Sequence, residues 1–468
     1  MIKQISSIAM LEPKNENLHI YSKFELPRLG CVLLATIMKN LGFEARAYFL
    51  SERNILEKNI TADIIGISSI SSTAFIAYRL GDYFRSKGKI VVMGGPHISA
   101  MPEEAMEHSD YCICGEGEIS LPQLINTLNT QGDFKTIQGL VWRNLDGEIV
   151  KNSHVVHIQN LDNNPFPDFK LLELEKDHMG AVGQKPTIPI QTSRGCPFAC
   201  NFCSVTAMFG RKFRFRSTAD IIAELQQYNP KEHAIFFYDD NFTANRKRTK
   251  KLLREMIRLG LIFKFSTQVR VDIYKDPELL DLMAKAGCDT LYIGFESVDP
   301  DSLKEMNKNQ SVEDIKTAIQ EIRKRKIFVH GMFVFGFDKD NPKKARASVK
   351  FAIRHKIDTT QFLILTPLPG TDFYYKMKRE GRLIDTNWDE YDAHHVKFKP
   401  KNYNPWQLQM AQYHAHAKFY AWKWIILRLF HGRFRAFIIG LYAHFLNRKW
   451  IREEYHHLRK LREIPSQI

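Results

Sequence analysis

The 468-residue sequence contains no stretch that reaches the roughly 18 to 20 apolar residues a membrane-spanning helix needs. Its first residues, MIKQISSIAMLEP, lack the apolar run and small-residue cleavage site of a secretory signal, so the expectation is a cytoplasmic protein. Cysteine is scarce, at seven, and odd in number; in a reducing compartment this argues against a disulfide scaffold and makes metal the better explanation of any clustered thiols. There is no repeat and no low-complexity segment. With 44% hydrophobic and 25% charged residues, disordered and collagen-like chains are excluded as well. Acidic residues are too few to balance the basic ones, 52 against 67, and the resulting charge of +15 favours an anionic partner. Much of that excess falls after Pro400, which makes it a property of the C-terminal region.

What is present is a βα alternation that occurs twice. In residues 1–135 the apolar runs ISSIAML, ARAYFL, ADIIGISS, KIVVMGG and YCICGE alternate with helical stretches, among them RLGCVLLATIMKNLG and 74–86. Continuous apolar strands separated by helices predict a parallel sheet covered on both faces, a doubly wound domain of about five strands. Ligands of such a domain lie beyond the carboxyl ends of the strands, here Ser68 and Ser69, Gly94 and Gly95, and Glu116 and Gly117. Residues 136–185 read as a connector, with a hairpin turn at Asp146-Gly147 and the proline-rich LDNNPFPDF. The alternation restarts over 186–395, where TIPIQTS, AIFFYDD, KFSTQVRVD, TLYIGFES, FVHGMFVFG and TTQFLILTP are the predicted strands of a (β/α)6 partial barrel. Residues 396–468 form a helical, basic and aromatic C-terminal region.

After the first barrel strand comes RGCPFACNFC, which places Cys196, Cys200 and Cys203 in the pattern C-x3-C-x2-C. Four thiolates would close a structural zinc site or saturate an iron-sulfur cluster, whereas three leave one coordination position open for chemistry. The spacing resembles the hallmark of radical S-adenosylmethionine enzymes, including the aromatic residue, Phe202, before the third cysteine. The resemblance implies a 4Fe-4S cluster held by the three cysteines, with S-adenosylmethionine on the fourth iron. It also implies cofactor contacts from the strand ends. Asp239 and Asp240 in YDDNF stand where the family receives the methionyl amino group, although the commoner Gly-Gly-Glu is absent. Gln268, Arg270 and Asp272 after the third strand and Glu296 after the fourth are contacts for ribose or carboxylate. Phe335 and Gly336 in GMFVFGF end the fifth strand, where glycine would let the backbone approach adenine or serve a tight turn.

The first domain, with GGPHISAMPEEAMEHSDYCICGEGE, resembles the cobalamin-binding domain of the cobalamin-dependent branch of this family. The resemblance implies that the small residues at Ser68–Ser72 and Gly94-Gly95 line the slot for the cofactor's nucleotide tail. One departure stands out. The family's Asp-x-His-x-x-Gly motif, which supplies the lower axial histidine, is missing from LEPKNENLHIYS, so cobalamin is expected without that ligand; His19 is the one histidine in the segment. Cys112 and Cys114 share one face of a strand and, with Cys31, lack cluster spacing, while Cys288, after a barrel helix, reads as core.

The resemblance points to an enzyme, a methyltransferase acting on an unactivated carbon of a small-molecule or lipid substrate and fed by an electron donor such as flavodoxin or ferredoxin. A radical cyclase and a non-catalytic cobalamin or S-adenosylmethionine sensor are the alternatives. In the tail, Trp422, Trp424, Phe430, Phe434, Phe437 and Tyr442 are interleaved with Lys423, Arg428, Arg433 and Arg435. That mixture suits either packing on the barrel or peripheral contact with an anionic membrane, which would deliver a hydrophobic substrate. No nucleic acid is expected, since no RNA-binding module is visible.

Overall fold

The computed structural model describes residues 4–15, 26–153, 157–175, 179–180, 185–198, 200–306, 308 and 310–464. Five parallel strands, β1 (Ser7–Pro13), β2 (Glu44–Leu50), β3 (Ile64–Ser68), β4 (Ile90–Gly94) and β5 (Tyr111–Ile113), run side by side in the order β5-β4-β3-β1-β2. Both faces are buried. Ala9 and Leu11 of β1 enter a core with the helix Ala74–Ser86, while Ile8 and Met10 enter another with the helices Leu29–Asn40 and Gly117–Thr130. Successive side chains of a strand point to opposite faces, so a run apolar at every position calls for helices on both sides.

The stretch 136–185 does more than connect. The hairpin forms at Asp146-Gly147, and its strands β6 (Leu140–Arg143) and β7 (Ile149–Lys151) extend the sheet antiparallel beyond β5. At the other edge β8 (Leu172–Leu174) pairs parallel with β2, which makes eight strands in all. These additions cover edges that would otherwise present unpaired backbone groups. The turn residues Asp146-Gly147 mark the hairpin in the sequence, whereas β8, three residues with no such turn beside it, is too short to show an alternation.

The second sheet begins with β9 (Thr187–Ile190). The short antiparallel pair β10 (Ser193–Arg194) and β11 (Arg214–Phe215) follows, bracketing the cysteine loop. Then come β12 (Ala234–Phe237), β13 (Lys264–Val269), β14 (Cys288–Glu296), β15 (Phe328–Phe335) and β16 (Thr359–Ile364). The six long strands are parallel and in sequential order from β9 to β16, as a partial (β/α)6 barrel requires.

A partial barrel leaves an edge at β16, and the C-terminal region caps it with side chains. The Tyr420 hydroxyl accepts from the Thr360 N–H at 3.0 Å and donates to the Thr360 carbonyl at 2.8 Å. His416 Nε2 accepts from the Phe362 N–H at 3.1 Å; burial lowers this histidine to about 3, so it is neutral and able to accept. Beyond the barrel strands, Trp388 inserts into the first domain's core, stacking edge-on against His97 at 4.9 Å and donating from Nε1 to Glu104 at 2.7 Å. Tyr420→Phe removes both partners of a buried strand edge and is expected to cost about 1–3 kcal/mol. Urea unfolding that leaves stability unchanged would show that the cap is dispensable.

Candidate active site

The cysteine loop is held at both ends before it reaches any ligand. Gly195 has φ +83, and a Cβ there would lie 2.8 Å from the Lys212 carbonyl, so only glycine closes the loop base. Buried Asp239, at the end of β12, accepts from the backbone N–H of Thr192 at 2.7 Å and of Ser193 at 3.2 Å, and from both hydroxyls. Its carboxylate is taken up in fixing the strand that leads into the loop, which leaves the neighbouring Asp240 to face the cavity.

Cys196, Cys200 and Cys203 line one cavity of about 180 Å³ with Phe202, Asp240, Gln268, Arg270 and Glu296. Burial raises the Cys196 thiol and pushes Cys203 up to about 11. Burial, reinforced by the Asp239 carboxylate, brings Asp240 up to about 7. Arg270 stacks on the Phe198 ring at 3.7 Å, which fixes its guanidinium over the loop. Glu296 has φ +57 beside a register shift between β14 and β15, a strained backbone of the kind found where side chains must be aimed. Its carboxylate pairs with Lys308, which also donates to the Gly294 carbonyl at 2.8 Å. Phe202 packs edge-on against Phe337 at 5.5 Å.

Other expected positions lie elsewhere. Phe335 and Gly336 do not line this cavity: Phe335 stacks on Phe362 at 5.7 Å in the barrel core. Gly336 has φ +114, with Leu408 2.9 Å from any added Cβ, so its glycine answers to turn and packing. Asp272 is bound by Arg246 at 2.7 Å and is likewise absent from the lining. Phe198, Tyr292 and Lys308 line the cavity without having been singled out in the sequence. Phe198 lies inside the cysteine motif and was within reach of inspection; Lys308, in MNKNQ, carries no local signal.

A second cavity, of about 870 Å³, opens between the two domains. Its walls include Glu12 and Pro13 at the end of β1 and Lys14 and Asn15 after it, Ile70–Thr73 after β3, Pro96 and Ala100 after β4, Leu363 in β16 and Thr366 after it. Ser68, Ser69, Gly94 and Gly95 do not line it; the residues directly after them do. A Cβ on Gly95, at φ +97, would sit 2.7 Å from the Ser69 carbonyl, so this glycine lets the two loops touch. Gly117 starts a helix against Leu34. His97, also on these loops, bonds Ser71 and Tyr78, and burial lowers it to about 4. His19 lies outside the described residues. The helix Ser204–Phe209 separates the cavities: Val205 and Thr206 face the smaller, Ser204, Ala207 and Met208 the larger.

Glu116, expected at a cofactor, instead joins the domains. Its carboxylate accepts from Arg214 Nη1 at 2.9 Å and from the Ile158 N–H at 2.8 Å, and lies 3.3 Å from Arg194 Nη1. Arg194 and Arg214 pair across β10 and β11, so one buried carboxylate grips both ends of the cysteine loop.

Residues 190–352 match the Radical SAM superfamily model and residues 18–125 the B12 binding domain model. The bacteriochlorophyllide d C-12(1)-methyltransferase of Chlorobaculum tepidum is 32% identical over 72% of this chain and 70% of its own. The chain belongs to the radical S-adenosylmethionine superfamily, in its B12-binding branch. An uncharacterized methyltransferase of Pyrococcus horikoshii is 31% identical over 84% of this chain and 88% of its own. The anaerobic magnesium-protoporphyrin IX monomethyl ester cyclase of Cereibacter sphaeroides is 27% identical over 86% and 68%. In fold, the chain is similar to the radical S-adenosylmethionine methyltransferase TsrM of Kitasatospora setae, with TM-score 0.65 and 18% identity over 80% of this chain and 76% of that one.

The residues fit the family's cofactors by chemistry. Three thiols free of disulfides share a cavity with acidic and basic groups suited to an amino acid zwitterion, and the interdomain cavity is large enough for a macrocycle. Among the described residues, no three His, Cys, Asp or Glu side chains are already drawn together as metal ligands.

Burial works to raise Glu116, but the Arg214 bonds, the Arg194 charge and the Ile158 N–H outweigh it and hold the carboxyl below the ordinary range. Its contribution is therefore present above the unfolded carboxyl value and lost as pH falls through the folded one. Glu116→Gln is expected to cost about 3–5 kcal/mol at neutral pH, chiefly by leaving buried Arg214 without its carboxylate, since Arg194 keeps Glu118. The loss should shrink in acid. Denaturation curves of wild type and variant that stay parallel from neutral to acid pH would refute the clamp.

Proposed function

We infer that the protein is a cobalamin-dependent radical S-adenosylmethionine methylase acting on a carbon of a small-molecule substrate. One observation carries the reading: the helix Ser204–Phe209 forms a wall of both the cavity holding the three cysteines and the large interdomain cavity. When bound, the cluster with S-adenosylmethionine supplies a 5'-deoxyadenosyl radical for hydrogen removal, and cobalamin supplies a methyl group. Cys196, Cys200 and Cys203 would hold the cluster, and iron binding would release their protons, so assembly is coupled to pH.

Asp240 would receive the methionyl ammonium. A carboxyl held near 7 by burial and by Asp239 gains most from a cation that restores its charge. Arg270, immobilised on Phe198, would take the ligand's carboxylate or ribose. The Glu296–Lys308 pair presents one donor group and one acceptor group to the same ligand. Ser204, Ala207 and Met208 give the larger cavity a wall of small and apolar side chains, which excludes water from a reactive radical. A one-electron donor such as flavodoxin or ferredoxin belongs to this reading, and so does a cobalamin without the Asp-x-His-x-x-Gly histidine.

Incubation with methyl-deuterated S-adenosylmethionine and reductant should give a product carrying the labelled methyl. The similarity to a cyclase favours one other outcome, an unlabelled product that has lost hydrogen, and that result would replace the methylase reading. Cys200→Ala should abolish the visible absorbance of the reconstituted cluster, and a variant retaining it would remove the assignment of the thiols. Asp240→Asn, which keeps shape and loses charge, should weaken S-adenosylmethionine binding roughly tenfold to a hundredfold with the cluster intact. Equal affinity in calorimetry would assign the ammonium elsewhere.

A further inference from the structure

The C-terminal helices Trp422–Phe430 and Phe434–Glu453 pack together; where they adjoin, they lie by the amino ends of the barrel strands, and the second helix runs on to Trp450, which meets His395 next to the larger cavity's His394. The arginines expected to face a membrane are what attach them there. Arg433 binds Asp358, just before β16. Arg435 binds Asp289 near the start of β14 and stacks on Phe328 at 4.5 Å. Arg428 is buried over Phe419 at 4.5 Å and donates to its carbonyl at 3.2 Å. These cations are engaged by the protein itself.

The opposite face is apolar and open. Trp422, Ile426 and Phe430 recur every four residues on the first helix, and Phe434, Ile438 and Phe445 share one face of the second. Phe430 is 81% exposed, Phe434 61% and Phe445 58%. Rings of this size left in water on adjoining helices are a patch awaiting a partner. Exposed cations border it: Lys423 on the first helix, and Arg448 and Arg452, which continue the Phe445 stripe on the second. No acidic residue occurs between Asp392 and Glu453.

That charge pattern selects the partner. A second copy of the chain would bring cations against cations around the apolar contact, whereas anionic phospholipid neutralises them and accepts the rings at the headgroup boundary. We propose that this helix pair docks the protein on an anionic membrane surface, with Phe430 and Phe434 at the tip of the inserted face. Neither Phe430 nor Phe434 lines either cavity, so their insertion does not itself deliver a lipid into them. The inference is independent of which reaction the cavities perform.

The test is co-sedimentation of the full chain with phosphatidylglycerol vesicles and, separately, phosphatidylcholine vesicles. The wild type should pellet with the first and not the second, and high salt should release it. Phe430→Ser with Phe434→Ser should stay in the supernatant while melting like the wild type, since neither ring is part of a core. Lys423→Glu, Arg448→Glu and Arg452→Glu together should weaken binding about a hundredfold or more, each basic residue near such a surface contributing about 1 kcal/mol. The proposal fails if the wild type never pellets with phosphatidylglycerol, or if the double serine variant pellets equally. It also fails if light scattering without lipid shows a dimer that the double serine variant abolishes, which would assign the patch to a second copy.

Discussion

The Glu116 carboxylate is the point on which the two domains and the cysteine loop all depend. It comes from the end of the first sheet, and its partners Arg194 and Arg214 are the two residues that face each other where the loop leaves and rejoins the barrel. A buried charge without its partners is costly, so the arrangement strongly favours one relative position of the domains. Arg194 stands two residues before Cys196, and the placement of the first thiol is therefore coupled to a domain that contributes no thiol to the cavity. Asp239 completes the support from inside the barrel by holding Thr192 and Ser193.

The partial barrel creates a second constraint. Six strands in order leave β16 with an open edge, and a chain that ended after Ile364 would expose its backbone groups. Tyr420 and His416 satisfy part of that edge, while Trp388, on the way to them, closes the first domain's core. The post-barrel region is thus structural first. Its arginines complete the attachment at Asp289 and Asp358, which frees the outward helix faces for another use.

Proximity gives the two cavities their chemical sense. The cavity beside Cys196, Cys200 and Cys203 and the chamber built by both domains share the helix Ser204–Phe209 as a wall, so a species formed in one would have a short path to the other. Asp240 illustrates how position alone alters an acid. Asp239, beside it in sequence, has its oxygens filled by hydrogen bonds, while Asp240 is buried next to that charge and titrates near neutrality.

The sequence by itself determined the element types, the two βα domains and the cysteine triad, because apolar periodicity and a spacing of three thiols are local patterns. It also puts Asp240, Gln268, Arg270 and Glu296 at the carboxyl ends of parallel strands, which converge whatever the details of packing, and they line the cysteine cavity. Only the tertiary structure decided which polar groups were left for a ligand. Glu116 bonds Arg214 across the domains, Gly95 lets two loops touch, and Gly336 packs against Leu408. The same holds for the tail, where Arg428, Arg433 and Arg435 found partners inside the molecule and Phe430 and Phe434 did not. Charge and size are written in each residue, but whether a group is satisfied depends on neighbours tens to hundreds of residues away, and those contacts exist only once the chain has folded.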